Sequence, residues 1–297
     1  MPSTPHVIYA GRAELAEGPV WHEGALWWVD IVAGTLNRLD PETGVNTSRA
    51  TGGFLGAATP CADGRWLLAR QHDCTLFDWE SGRFTPLAAP SEGISPRHRF
   101  NDGKCDPSGR FWVGTMSLDR ASGEAGLFAL EPHGAIRRAL GGLSLANGLG
   151  WSPAGDLFYH IDSPTHRLSR FAFDPSVGEI SERKLWVEFS DADGFPDGMT
   201  VDAAGDLWVA LWSGSAVARI DGKTGRILEK HALPVSQVSS CTFGGSDLRT
   251  LFITTAWEGM SFAQREAQPL AGSLFALRTD TPGLPVTPFR IPSGRRL

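Results

Sequence analysis

Basic clusters, long apolar runs and paired cysteines are all missing from this sequence. Lys and Arg total 27 against 33 Asp and Glu, a net charge of −6, and no basic run offsets it. Nucleic acid as a partner therefore has no electrostatic footprint, and the pair Arg295-Arg296 is too short to supply one. No apolar stretch approaches the ~18 residues that span a bilayer, which argues against a membrane partner. Met1-Pro2-Ser3-Thr4-Pro5-His6 has neither the basic region nor the apolar core of a secretory signal. The four cysteines, Cys61, Cys74, Cys105 and Cys241, show no C-x-x-C spacing and are too sparse for a disulfide scaffold. They read as buried free thiols in a cytoplasmic protein. No stretch of a dozen residues carries helical periodicity. No G-x-x-x-x-G-K-[ST] or G-x-G-x-x-G loop opens a helix, so nucleotide binding has no support.

What is present is a repeat. Eleven Trp, 16 Phe, 35 Gly and 20 Pro suggest many short strands joined by turns. A turn rich in Gly, Asp or Pro is followed by an apolar run six times, the runs starting at Leu26, Trp66, Phe111, Leu157, Leu207 and Leu251. The steps between them are 40, 45, 46, 50 and 44 residues. A weaker alternating segment follows most copies, as in Arg167-Leu168-Ser169-Arg170-Phe171 and Ser215-Ala216-Val217-Ala218-Arg219-Ile220. Strand repeats of ~40–50 residues are the signature of propeller blades. The spacing predicts an all-β fold, a single six-bladed β-propeller domain over residues 1–297 with a central channel. Val7-Ile8-Tyr9 and Pro288-Phe289-Arg290-Ile291 are expected to pair with each other in the last blade and so remove two exposed sheet edges.

A second alignment places an upstream strand before each run. Its recurring position, usually followed by glycine, is Glu17, Leu55, Asp102, Asn147, Asp197 and Ser240. Innermost strands line the channel, so three carboxylates and an amide, distant in sequence, are brought to one mouth. Such acids repel unless a cation or protons neutralise them. Oxygen donors of this kind suit Ca²⁺, Mg²⁺ or Mn²⁺. The competing reading makes each one a turn residue capping backbone N–H groups; acid or amide at four of six equivalent places favours a site. Asp191-Ala192-Asp193-Gly194 lacks the acid or Asn that a calcium loop requires at Phe195. His160 with Asp162, or His72 with Asp73, has no nucleophile elbow beside it.

The segments AEGPVW (16–21), RFNDGKCDPSGRFWVGTM (99–116), NGLGWSPAGDLFYHIDS (147–163) and PDGMTVDAAGDLWVALW (196–212) resemble the regucalcin/gluconolactonase (senescence marker protein) family of sugar lactonases. The resemblance covers nearly the whole chain. It implies a six-bladed propeller, hydrolysis of a sugar lactone to its aldonic acid, and one divalent metal in the channel. Matched motif by motif, the metal ligands are Glu17, Asn147 and Asp197. Asn101 lies near the metal or the substrate, Arg99 contacts the sugar, and a substrate-contacting Glu of the family falls at Asp119. The repeat selects Asp102 where the family selects Asn101; neighbours on a strand point to opposite faces, so one of the two reaches the channel. Asp197 is expected to act as general base. Loop 117–125 is long enough to lie over the channel as a lid. Ca²⁺, Zn²⁺, Mg²⁺, Mn²⁺ and Fe²⁺ all remain compatible with the ligand set. A non-catalytic calcium-binding scaffold and a metal-dependent esterase or phosphotriesterase are the alternative functions. Nothing in the sequence bears on oligomeric state.

Overall fold

The structure, a computed structural model, describes residues 4–90 and 94–291; Arg295-Arg296 and the first three residues lie outside this range. It contains six four-stranded antiparallel sheets. The innermost strands are Ala16–His22, Leu55–Pro60, His98–Cys105, Ala146–Trp151, Phe195–Val201 and Val238–Gly244. Each packs against the next, and the sixth returns to the first, so the sheets form a closed ring of six blades about a channel. The six apolar runs become the second strands. Ala25–Asp30, for example, is buried along its whole length, whereas the outermost strand of the same blade, Asn46–Ala50, is almost entirely exposed. A second strand is sandwiched between neighbouring blades and meets apolar side chains on both faces, which is why the run is continuous rather than alternating.

Short turns join first and second strands, and two of them are tied by the same device. Asp202 is fully buried and accepts from Ala204 N (2.9 Å), Asp206 N (3.0 Å) and the Trp208 indole (3.0 Å). Asp106 does the same with Ser108 N (2.8 Å), Arg110 N (3.0 Å) and the Trp112 indole (3.0 Å). The Asp-x-x-Gly-x-x-Trp spacing thus links the turn to the core between the blades.

Every innermost strand carries a bulge at or beside the recurring position. A bulge re-aims side chains and bends the strand. In blades 4 and 5 the following glycine is required by close approach. A Cβ on Gly198 would fall 2.1 Å from Ser240 Oγ, and one on Gly148 would fall 2.6 Å from Asp197 O. In blade 5, Pro196 pairs with Leu211 and Met199 with Val209, leaving Asp197-Gly198 in the bulge; in blade 3, Phe100 pairs with Thr115 and Gly103 with Val113, leaving Asn101-Asp102. Asn101 is therefore the counterpart of Asp197, and Asp102 stands where Gly198 does. This corrects the repeat alignment by one residue, in the direction of the family reading, but both residues reach the channel, Asn101 at one of its cavities and Asp102 at the other.

Ring closure also differs from expectation. His6–Tyr9 pairs with Leu274–Arg278, through His6↔Ala276 and Val7↔Phe275, rather than with residues 288–291. Leu274–Arg278 is a buried strand that needs an outer partner. The later segment holds Pro282, Pro285 and Pro288, which cannot donate to a ladder. It runs instead as a strap across one end of the channel. Gly283 bridges Asp202 in blade 5, and the fully buried Phe289 bridges Cys61 in blade 2. Among the described residues no helix is long and apolar enough to cross a membrane. All four cysteines are buried and free.

Candidate active site in the channel

The channel holds a cavity at each end. The end where the innermost strands begin, here called the upper end, has a cavity of about 170 Å³. The lower cavity, about 270 Å³, is bounded by Asp102, Lys104, Ser240 and the strap residues Leu284–Thr287. Five of the six residues selected from the sequence meet in the upper one: Glu17, Arg99, Asn101, Asn147 and Asp197. All five are at least nine-tenths buried. Asp119 is not among the residues lining that cavity; it lies on the surface in an ion pair with Arg97 at 3.1 Å. Its neighbour Arg120 takes part in the wall instead. Its backbone has a positive φ of 55°, stabilised by a hydrogen bond from its own N–H to Ser117 O.

One hydrogen-bond chain fixes the polar wall. Arg99 Nη1 donates to Phe100 O (3.0 Å) and to Asn101 Oδ1 (2.7 Å). Asn101 Nδ2 donates to Ala146 O and to Asn147 Oδ1, both at 3.2 Å. Asn147 Nδ2 donates to Ser163 Oγ (3.0 Å), whose hydroxyl donates to Pro196 O (2.6 Å). The chain spans blades 3, 4 and 5 and sets each rotamer by the next. The rest of the lining is largely apolar, with Leu15, Met116, Leu145, Pro164, Phe195 and Trp212.

The carboxylates are held against their charge. Burial, then the neighbouring acids Asp197 and Asp102, lifts Glu17 well above the usual carboxylate range. Burial, then Asp102, lifts Asp197 likewise, with Asn147 and the Gly198 N–H opposing. Burial pulls Arg99 down to about 10, while Glu258 and Glu17 act to keep it charged. Gly18 N donates to Glu17 Oε2 at 2.9 Å, but buried Asp197 Oδ1 has no hydrogen-bond partner. An orphaned buried carboxylate oxygen, a second like charge and a set made only of oxygen donors fit a hard divalent cation. Among the described residues no three His, Cys, Asp or Glu gather as a metal cluster; the candidate set here is two carboxylates and an amide.

Neither His–Asp pair forms a hydrolytic unit. Asp162 accepts from Ser144 N and Leu145 N, tying the entry to blade 4, while His160 is buried with Nε2 unpartnered. His72 bonds to His98 O, and Asp73 pairs with Arg70. Glu258 and Trp212 were not selected from the sequence and also line the upper cavity. Both sit at or just beyond the ends of second strands, in blades 6 and 5. Tracing where those strands end would have found them.

The SMP-30/Gluconolactonase/LRE-like region pattern matches residues 15–257. Regucalcin of Danio rerio is 37% identical over 268 residues, covering 89% of this chain and 90% of that protein. Pentonolactonase XacC of Haloferax volcanii is 36% identical over 279 residues, covering 91% and 93%. The crystal structure of a calcium-binding protein, regucalcin, from Agrobacterium tumefaciens superposes with a TM-score of 0.93 at 28% identity, over 98% of this chain and 99% of that one. With its six blades, its channel carboxylates and a family match across most of its length, the chain belongs to the SMP-30/gluconolactonase/LRE-like family.

Proposed function

We propose that the upper cavity hydrolyses the ester bond of a sugar lactone, giving the open-chain hydroxy acid, with a divalent cation held by Glu17, Asn147 and Asp197. The observation that carries this reading is the unpartnered, buried Asp197 Oδ1 beside a second carboxylate. Family membership and a relative that is by name a pentonolactonase support it. When bound, the cation supplies a Lewis acid for the ester carbonyl.

The chain's own residues do the rest. A sugar lactone has one polar edge of hydroxyls and one face of C–H groups. Arg99 and Asn101 meet the first, and the apolar side chains of the lining meet the second. Among the described residues only Nη1 of the Arg99 fork is hydrogen-bonded, so its remaining N–H groups are available to ring hydroxyls. Glu258, on the same cavity, is an acceptor for another hydroxyl. Asp197 is the general base: as the water oxygen bonds to the carbonyl carbon, its proton moves to the Asp197 carboxylate. That proton then passes to the ring oxygen as the C–O bond breaks, leaving a hydroxyl and a carboxylic acid.

Loop 117–125 borders the site through Arg120, and its Asp119 and Glu124 tie it to Arg97 and His98. It acts as a lid; shortening it should raise KM, and an unchanged KM would remove that role. The activity itself is tested by acid release from a panel of pentono- and hexonolactones. Metal-stripped protein is supplied in turn with Ca²⁺, Mg²⁺, Mn²⁺, Zn²⁺ or Fe²⁺. Metal-dependent opening of one or two lactones supports the proposal. Metal binding at this site with every lactone opening at the buffer rate would favour the calcium-binding scaffold instead.

A further inference from the structure

Asp102 and Lys104, from the Asn-Asp-Gly-Lys segment, have no role in the chemistry above. They face the lower cavity, beneath the carboxylates of the upper one. Lys104 is fixed there, because its Nζ donates to Met199 O at 2.7 Å, two residues beyond Asp197 on the innermost strand of blade 5. No carboxylate is paired with it within ion-pair distance among the contacts described. Asp102 is buried, and its charge acts on both Glu17 and Asp197. Lys104 in turn acts on Asp102, and its own charge is favoured by Asp102 and Glu17 against burial.

We infer that Lys104 is a fixed internal cation that sets the charge of the metal site, making the channel complementary to one divalent ion. With a cation bound and the carboxylates ionised around it, Glu17, Asp102 and Asp197 would contribute three negative charges and Lys104 one positive charge, a balance of minus two. Above them Arg99 and Glu258 offset each other, Glu258 being the acid that most favours the Arg99 charge. A divalent ion neutralises this interior. Without the ammonium the balance would be minus three, which a trivalent ion matches better. The inference rests on the metal site proposed above and adds to it a positioning residue that touches neither metal nor substrate.

Metal binding, rather than activity, reads it out. Ca²⁺ is measured by calorimetry and Tb³⁺ by luminescence sensitised by Trp212, which lines the cavity. The proteins are the metal-stripped native chain, Lys104→Met, Asp102→Asn and the double variant. Coulomb energy scales with ion charge, so Lys104→Met should tighten Ca²⁺ about tenfold and Tb³⁺ about thirtyfold. Asp102→Asn should weaken both by similar factors. The double variant, with its balance back at minus two, should return to within about threefold of the native constants. A purely structural Lys104 would move both ions by the same factor or leave them unchanged, and either result overturns the inference. If Lys104→Met does not fold by circular dichroism, Lys104→Gln and Asp102→Asn decide, since they must move the Tb³⁺/Ca²⁺ ratio in opposite directions. Native binding that survives Asp197→Asn would instead refute the site assignment. Binding lost in Asp197→Asn but indifferent to Lys104 would refute only the present inference.

Discussion

Replacing Glu17 by Gln should make the metal-free protein more stable and the metal-supplied protein less so. Glu17 and Asp197 are each more than nine-tenths buried; burial, then Asp197, raises Glu17's reluctance to ionise, and burial, then Asp102, raises that of Asp197. Without a cation the native fold must keep two carboxyl groups from water, both pushed toward the protonated form that the unfolded chain does not need at neutral pH. Gln keeps the length and one acceptor of Glu17, so the Gly18 N–H is still satisfied. Removing one buried carboxyl that resists ionisation is worth on the order of 1–3 kcal/mol. Since ~1 kcal/mol moves the melting temperature of a domain this large by only a couple of degrees, the metal-free Tm should rise by about 2–6 °C. Metal at a hundred times its Kd stabilises the native chain by about 2.7 kcal/mol, or roughly 5 °C. Most of that gain should vanish in the variant, because a ligand charge has been removed. The assay is differential scanning calorimetry of both proteins, chelated and metal-supplied, at pH 7.5. A variant that melts lower than the native chain by the same amount in both conditions would refute the reasoning and make Glu17 a structural residue.

Three further outcomes are expected. Asp197→Asn should lower kcat for the lactone by ~10²–10⁴, the usual contribution of a positioned base, with folding unchanged by circular dichroism; a loss below tenfold would assign the proton transfer elsewhere. His160 is buried and its pKa is pulled from 6.5 to about 3, mainly by burial and secondarily by Arg183. The unfolded chain takes up a proton first, so the contribution is complete above pH 6.5 and is lost as pH falls from there toward 3, at about 1.4 kcal/mol per pH unit. His160→Gln should flatten that part of the acid denaturation profile, and an unchanged slope there would count against the burial argument. Asp202→Ala strips acceptors from two backbone N–H groups and one buried indole. It should reduce stability by about 2–4 kcal/mol in urea titrations while Asp63→Ala, on an exposed turn, changes it by less than about 0.5 kcal/mol.

The blades were legible because each reuses one local pattern, a Gly- or Asp-bearing turn before a run buried on both faces. Six copies at near-even spacing admit few other architectures. Glu17, Asn147 and Asp197 were legible as a column in the same repeat, Arg99 and Asn101 came from the family resemblance, and these five line one cavity. What could not be read was the count of residues inside a bulge. Asn101-Asp102 occupies a position where blades 1, 4 and 5 pair acid or amide with glycine, so Asp102-Gly103 aligned one residue too far along. Closure failed for a related reason. Pro288–Ile291 and Leu274–Arg278 are both apolar, and only the prolines in the strap argue which of them can join a ladder. The short helix Phe262–Ala267 lies below the length at which periodicity shows, although Ser261 and Gln264 form its capping box. Asp119 was carried over by motif position, yet the turn that ends at Arg120 directs its neighbour to the cavity, and no spacing rule foretells that.

The pairing of His6–Tyr9 with Leu274–Arg278 also imposes an order on biosynthesis. Five blades are made of consecutive segments and can assemble as they leave the ribosome, each docking on the one before. The sixth cannot, because its outer strand is translated first and its partner more than 260 residues later. Until then a four-residue strand waits unpaired at one edge of a growing arc, and closing the ring joins segments more than 260 residues apart.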